Sequence, residues 1–351
     1  MDSSVAAALL LEEGYRVIGA TMKTYDFDDV GGNVANDTSC CGLGAIHDAR
    51  LAAAKLGIPH YVLDFRREFG KNVIDYFVGE YMEGRTPNPC IMCNRDIKWG
   101  KLLEKARALG ADFIATGHYA RSRRNESTGR FTIVRATYQQ KDQSYALWAL
   151  GQAALSMTIF PLGEKTKPEV REIAERLGLR NARKEESYEI CFVADNDYGR
   201  FLEERIEFDN AKIRAGDIVR DGKVVGRHKG YPFYTIGQRK GIGAFGEKVY
   251  VTDIEVETNI VHVGPDKDLF RRSLLAANVN WVSIPALEGD LRVQAQVRYK
   301  DTPAWATVCL NGAGVHVVFD EPKRAITPGQ SIVFYKEDEL VGGGIIERVL
   351  N

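Results

Sequence analysis

The first half of the chain alternates between two hydrophobic periods. Val5 to Glu13 repeats its apolar positions at helical spacing, Arg16 to Met22 reads as extended, Ile46 to Leu56 is helical again, and His60 to Leu63 is extended. Gly14 and Gly57 fall where these helices should stop, and Pro59 keeps the second from running on. Helical patterns follow over Phe69 to Tyr81 and Lys98 to Leu109, and then a strand over Asp112 to Thr116 leads into Gly117 and His118. Strands separated by helices predict an α/β domain with a doubly wound parallel sheet, whose ligands bind beyond the carboxyl ends of the strands. That rule places Gly117 and His118 at a candidate site.

From about Ala215 the pattern changes to short extended runs broken by turn pairs such as Asp221-Gly222 and Lys229-Gly230, with alternation over Lys248 to Ile254 and Ile260 to Val263. This predicts a small β-rich module. Beyond Phe270 come Leu291 to Tyr299, Ala304 to Leu310, Gly314 to Phe319, Ser331 to Tyr335 and Gly344 to Arg348, enough short strands for a compact C-terminal β-barrel. The expected partition is therefore 1–205, 206–268 and 269–351.

Composition narrows the classes. A chain of 351 residues with 44% hydrophobic content can bury ordinary cores in two or three domains. The apolar run Val5 to Leu11 is too short to span a bilayer and follows Asp2 rather than a basic residue, so a cytoplasmic location is expected. Six cysteines in so long a chain read as thiols or metal ligands rather than as a disulfide framework. With 47 basic and 48 acidic side chains, any nucleic acid must be held by local basic patches.

The most distinctive segment is Arg85-Thr86-Pro87-Asn88-Pro89-Cys90-Ile91-Met92-Cys93-Asn94-Arg95. Two prolines fix a loop that delivers a Cys-x-x-Cys pair to the start of the Lys98 helix, where the helix terminus, Arg95 and Lys98 favour thiolate. Half of a structural zinc site is the competing reading, but the chain has no second Cys-x-x-Cys. Cys191 lies in a short run with apolar neighbours and alone would read as a core cysteine. Cys40 and Cys41 read as part of a lid-like loop. Cys309 is expected to alternate inward on a barrel strand. Asp2-Ser3-Ser4 would cap the first helix, with backbone N–H groups facing any nearby phosphate, and Lys141 to Tyr145 reads as a cap before an apolar helix. Basic stretches at Arg227 to Lys229, Gln238 to Lys240, Arg271-Arg272 and Arg298 to Lys300, beside aromatic residues, fit a surface that follows a phosphate backbone.

Taken together, Asp2-Ser3-Ser4, Arg85 to Lys98, Ala115 to Ala120, Lys141 to Tyr145, Ile190-Cys191-Phe192, Tyr234 to Gly241 and Thr327 to Gln330 resemble, in order, the motif set of the MnmA-type tRNA 2-thiouridylases. The resemblance spans essentially the whole chain. It implies an ATP pyrophosphatase domain, a small central tRNA-contacting domain and a C-terminal barrel. It implies that Asp2, Ser3, Ser4, Met22 and Gly117 bind ATP, and that Asn88, Pro89 and Cys90 lie at the target base. His118, Lys141, Asp142, Gln143, Arg298, Tyr299 and Gln330 would contact tRNA. Cys93 and Cys191 would be the catalytic pair, with Cys191 carrying a persulfide from a donor protein and the two cysteines ending as a disulfide. ATP with Mg²⁺ and tRNAs for glutamine, lysine and glutamate are the implied partners.

Two departures carry expectations of their own. The family opens with an apolar strand and Ser-Gly-Gly ahead of the Asp-Ser-Ser; neither precedes Asp2 here, which predicts weak ATP binding and poor stability unless the start lies upstream. Cys90 stands where many relatives carry aspartate, which leaves room for an iron–sulfur cluster on Cys90, Cys93 and Cys191. An amidating ligase of the same ATP pyrophosphatase group has no use for these cysteines. A tRNA-binding protein without catalysis is the stronger rival.

Overall fold

The computed structural model describes residues 1–26, 43–180, 190–193, 195, 197–205 and 214–350; Cys40, Cys41 and residues 186–189 of the Cys191 run lie outside them. The chain forms two compact units. The first comprises Met1–Ile74, Cys90–Asp197 and Asp338–Val341, and the second comprises Asp75–Pro89, Tyr198–Glu337 and Gly342–Asn351.

In the first unit, helix α1 (Asp2–Glu12) starts three residues earlier than its apolar spacing indicates, with Met1 rather than a polar side chain at its cap. Val5 and Ala6 of α1 pack in one core cluster with Ala52 of α2 (Leu43–Leu56) and with Val170 and Ala174 of the helix Lys167–Arg176. Fully burying each valine stabilises by roughly 1.5–3 kcal/mol. The Lys167 helix begins on a capping box, in which Thr166 accepts from the Glu169 amide and the Glu169 carboxylate accepts from the Thr166 amide at 2.6 Å.

In this unit the parallel strands form two separate pairs among the described residues. Strand β1 (Gly19–Lys23) pairs with β2 (His60–Asp64), aligning Gly19 with His60 and Lys23 with Asp64. Strand β3 (Ile114–Ala115) pairs with β6 (Thr158–Ile159). Between them in sequence, β4 (Ala120–Arg124) and β5 (Phe131–Arg135) make an antiparallel hairpin.

Two helical expectations shift. The Lys98 helix begins at Pro89, because proline at the first helical position has the right φ and no N–H to satisfy. Its middle, Cys93–Leu102, is wound as a π-helix, followed by an α-helical Leu103–Ala108. Lys141 to Tyr145 does not lead into an α-helix. Asp142 and Gln143 link two 3₁₀ turns, Gln139–Lys141 and Ser144–Leu147. Asp142 accepts from the amides of Ala136 and Ser144, and such local bonding competes with helix formation.

The second unit contains the helix Asp75–Met82 and two β structures. Strands β7 (Gly216–Arg220), β8 (Lys223–His228), β9 (Tyr250–Glu255) and β10 (Ile260–Gly264) form a sheet in the order β8-β7-β10-β9, with β7 and β10 parallel. The second structure is a closed six-stranded barrel of β11 (Phe270–Trp281), β12 (Leu291–Gln296), β13 (Ala304–Asn311), β14 (Gly314–Arg324), β15 (Ser331–Lys336) and β16 (Glu339–Leu350). It runs β11-β14-β13-β12-β15-β16, with β16 returning to pair with β11. Closure leaves no free edge. Val293, Ala295, Ala306, Val308, Val317 and Phe319 fill the interior. With Ala306 and Val308 inward, the period of two turns Cys309 outward, contrary to the expected core position. Strand β12 stops at Gln296, short of Tyr299, because the Gln296 amide donates to the carbonyls of Arg298 and Tyr299 at 3.0 and 2.8 Å and draws the chain into a turn.

Candidate active site

The first unit gathers three of the expected nucleotide residues at the start of α1. The Met1 carbonyl accepts from the amides of Ser4 and Val5 at 3.0 and 3.1 Å, closing the first turn. The preceding amides of Asp2 and Ser3 have no acceptor within a helix, and that end carries partial positive charge suited to phosphate. Gly117 lies directly against them: a Cβ there would stand 2.6 Å from Ser3 N and 2.8 Å from Asp2 C, so only glycine allows this approach. Met22 is half-buried on β1 and pairs with Leu63.

The Asp2 side chain does not cap the helix. Both its oxygens accept from Lys167 Nζ, at 2.7 and 2.9 Å, and Oδ1 also accepts from the Tyr119 hydroxyl at 3.3 Å. Lys167 is only 5% exposed and lies over the Tyr119 ring, 5.5 Å from its centroid. The cation at the first position of its helix therefore neutralises the carboxylate nearest the anion-binding end of α1.

Beside this end, Thr116 and Lys98 hold His118. Its Nδ1 lies 2.7 Å from Thr116 Oγ1 and its Nε2 3.4 Å from Lys98 Nζ, with Trp99 and Phe160 against the ring. Burial, with the Lys98 charge adding to it, pushes the imidazole well below its ordinary value, so His118 is neutral. An ammonium can only donate, which puts the ring proton on Nδ1, facing Thr116. Lys98 also donates to Asn94 Oδ1 at 2.8 Å, and Asn94 donates to the Ala146 carbonyl at 2.8 Å. The residue after Cys93 is thereby tied to the 3₁₀ turn at Ala146.

Lys141, Asp142 and Gln143 hold their loop from within. Gln143 Oε1 accepts from the Tyr119 amide at 3.0 Å, while the Gln143 amide donates to the Tyr119 carbonyl at 2.8 Å. Asp142 accepts from the Ala136 amide and the Ser144 hydroxyl at 2.8 and 2.7 Å and faces Arg135 at 3.3 Å. Burial outweighs these bonds and raises its carboxyl above the ordinary value. Lys141 is half-buried.

The thiols differ in exposure: Cys90 is exposed, while Cys93 and Cys191 are half-buried. Cys191 occupies a turn closed by the Val193 amide donating to the Ile190 carbonyl at 2.9 Å. Among the described residues no three or more His, Cys, Asp or Glu side chains are grouped to hold a metal, so Cys90, Cys93 and Cys191 do not form the donor set that an iron–sulfur cluster requires.

In the second unit, Gln330 Nε2 donates to the carbonyls of Thr86 and Pro87 at 2.9 and 3.3 Å, and the Thr86 amide donates to the Pro328 carbonyl at 2.8 Å. Gly329 packs so closely on this loop that a Cβ would lie 2.9 Å from Thr86 N. The loop carries Asn88, half-buried, and Pro89, buried. Arg298 is half-buried, and Tyr299, at the turn after β12, is 39% exposed.

Residues 1–195 match the family described as the tRNA methyl transferase HUP domain, 199–265 its PRC-barrel domain and 271–346 the aminomethyltransferase beta-barrel domain. A tRNA-specific 2-thiouridylase MnmA of Salinibacter ruber is 49% identical over 99% of this chain and 92% of its own length. Those of Heliobacterium modesticaldum and Clostridium perfringens are 51% and 50% identical over the whole chain and 91% and 96% of their own lengths. The chain belongs to the tRNA-specific 2-thiouridylase family.

Within this thiouridylase fold, the order of HUP, PRC-barrel and C-terminal barrel domains follows the succession of patterns along the sequence. Sequence reasoning did not find Lys167, Lys98 as a partner of His118, or Tyr25, whose hydroxyl donates to the Cys191 carbonyl at 2.6 Å. Thr166-Lys167-Pro168-Glu169 is a legible helix start, so the position of Lys167 could have been read. Its partner Asp2, 165 residues away, could not. No described helix of this thiouridylase chain is long and apolar enough to cross a membrane.

Proposed function

We propose that the protein is a tRNA-uridine 2-sulfurtransferase that uses ATP to adenylate the wobble uridine and then replaces its O2 with sulfur. The observation that carries this reading is full-length identity of about one half to proteins named for tRNA 2-thiolation. The close approach of Gly117 to the start of α1 supports a phosphate cradle there, with Asp2, Ser3, Ser4 and Met22 completing the ATP residues.

The chemistry needs activation because a uridine carbonyl oxygen is a poor leaving group. Uridine O2 attacks the α-phosphorus, and pyrophosphate departs. Cys191 carries a persulfide delivered by a donor protein. The Cys93 thiolate attacks Cys191 Sγ, the persulfide S–S bond breaks, and the terminal sulfur leaves with its electron pair as sulfide; a Cys93–Cys191 disulfide forms in its place. Sulfide adds to C2, and AMP departs with the former O2. Mg²⁺ would come as the counter-ion of the nucleotide phosphates.

Asn88, Pro89 and Cys90 are assigned to the target base. His118, Lys141, Asp142, Gln143, Arg298, Tyr299 and Gln330 are assigned to tRNA. The Asp142 carboxylate and the Gln143 side-chain oxygen are taken by the chain's own donors, so their share is to hold His118 and Lys141 in place. Glutamine, lysine and glutamate tRNAs are the proposed substrates, in the cytoplasm.

Single-turnover thiolation of unmodified tRNA with ATP, Mg²⁺ and a persulfide donor tests the reading. Formation of 2-thiouridine that is lost in Cys93→Ala and Cys191→Ala but kept in Cys90→Ala is expected. Thiolation that survives without Cys191 overturns the persulfide route, and tRNA binding with no thiolation overturns the enzyme.

A further inference from the structure

We propose that Tyr25 is a positioning residue for sulfur transfer, its hydroxyl fixing the turn that carries Cys191. The inference rests on the persulfide reading and adds to it a residue from the nucleotide side of the domain. Tyr25 follows β1, three residues after Met22, at the carboxyl end of a parallel strand, where α/β folds place their ligands. Its hydroxyl donates to the Cys191 carbonyl at 2.6 Å across 166 residues of sequence. The ring is buried, at 6% exposure, and packs on Phe69 at 6.0 Å between centroids. Phe69 in turn meets Phe192 edge-on at 5.7 Å, and both phenylalanines are 1% exposed. Cys191 is thus held on both sides, by its own carbonyl and by the ring of its successor.

The base of this contact is itself fixed. Lys23 pairs with Asp26 at 2.6 Å, Arg66 bridges Asp26 and Asp64, and the Phe65 amide donates to the Lys23 carbonyl at 2.8 Å. These ties hold the backbone on either side of Tyr25 to the end of β2. Attack on Cys191 Sγ requires the attacking sulfur in line with the breaking bond, and displacement of a reacting group by about 1 Å can cost about a hundredfold in rate. A hydrogen bond to the carbonyl of the sulfur-bearing residue controls that placement without touching the sulfur.

Tyr25→Phe removes the hydroxyl and keeps the ring. The first readout needs neither ATP nor tRNA: a diamide pulse on the reduced protein, in which the Cys93 and Cys191 thiols lose two electrons to form a disulfide and diamide is reduced to its hydrazine. Mass spectrometry of the linked peptides is expected to show disulfide formation slowed roughly tenfold, with tRNA affinity within error of the parent protein and the urea midpoint lowered by no more than the loss of one hydrogen bond. Single-turnover thiolation should slow by a similar factor, with no change in the ATP concentration at half-maximal rate. Unchanged disulfide and thiolation rates in Tyr25→Phe, where Cys191→Ala abolishes thiolation, overturn the positioning role alone. A fall in urea midpoint and tRNA affinity that parallels the rate loss overturns it in favour of a purely structural role. Full thiolation by Cys191→Ala overturns the persulfide reading and this proposal with it.

Discussion

The Gln330 side-chain amide donates to two successive carbonyls, those of Thr86 and Pro87, from the opposite end of the sequence. The loop it holds runs directly into Cys90. Because Pro87 and Pro89 lack N–H groups, this loop has few ways to bond with itself, and it depends on Gln330 and on the Thr86 to Pro328 bond for order. Gln330→Ala should lower stability by about 1–3 kcal/mol in urea unfolding, the cost of leaving partly buried carbonyls unsatisfied. Gln330→Glu, which cannot donate when ionised, should behave like the alanine variant.

Gly117→Ala would place a methyl group 2.6 Å from Ser3 N. The start of α1 must move to admit it. Titration with a fluorescent ATP analogue should show nucleotide affinity falling at least tenfold, whereas Gly151→Ala, with open space around its Cβ, should bind like the parent protein.

Lys167→Met leaves the Asp2 carboxylate without its main partner. Asp2 is one-third exposed, so water compensates in part, and the expected loss is about 1–3 kcal/mol rather than the larger penalty of a fully buried ion. Adding Asp2→Asn in the same chain should recover part of that stability. A double-mutant cycle in urea that shows simple additivity would count against the pairing.

The neutral state of His118 predicts a pH dependence with a defined sign. Its imidazole is held well below 6.5 by burial first and by Lys98 second, so below that pH the unfolded chain binds a proton that the native chain refuses. Its contribution to stability is intact above the unfolded value and shrinks as pH falls through 6.5 towards the folded value. The urea midpoint should fall between about pH 7.5 and pH 5.5 by more in the parent protein than in His118→Gln.

Cys309, facing outward on the barrel, shares its thiol proton with Asp290, which together with burial raises the thiol above its ordinary value. Peptide mapping after brief iodoacetamide treatment should find it among the slowest thiols to react. Asp290→Asn should accelerate it.

The sequence made the α/β-then-β order legible because hydrophobic periods of about three and a half and of two are local properties, and the glycine and proline stops mark their ends. Five of the six barrel strands were readable, whereas β11 was not, because the register shifts along Phe270–Trp281 interrupt its alternation. The inward or outward sense of Cys309 was not, since it depends on register, and one residue of shift reverses every side chain. The cysteine motif was found as letters, but its helix was placed too late because a proline-rich loop and a proline-started helix look alike. Asp2 with Lys167, Tyr25 with Cys191 and Gln330 with Thr86 all join residues more than a hundred positions apart. No local pattern encodes such pairs.

The π-winding of Cys93–Leu102 makes this segment a ruler as well as a scaffold. A π turn takes up more residues than an α turn, so losing one residue would let the helix relax towards ordinary pitch. Each residue of an α-helix turns the chain by roughly 100°, more than in the wider π turn, so re-winding would change which side chains of Cys93–Leu102 share a face. Asn94 and Lys98 would leave the Ala146 carbonyl and His118, while Trp99 would lose the Thr158 hydroxyl to which its indole donates at 2.7 Å. Here the number of residues matters as much as their identity, and a single-codon deletion would be more damaging than most substitutions.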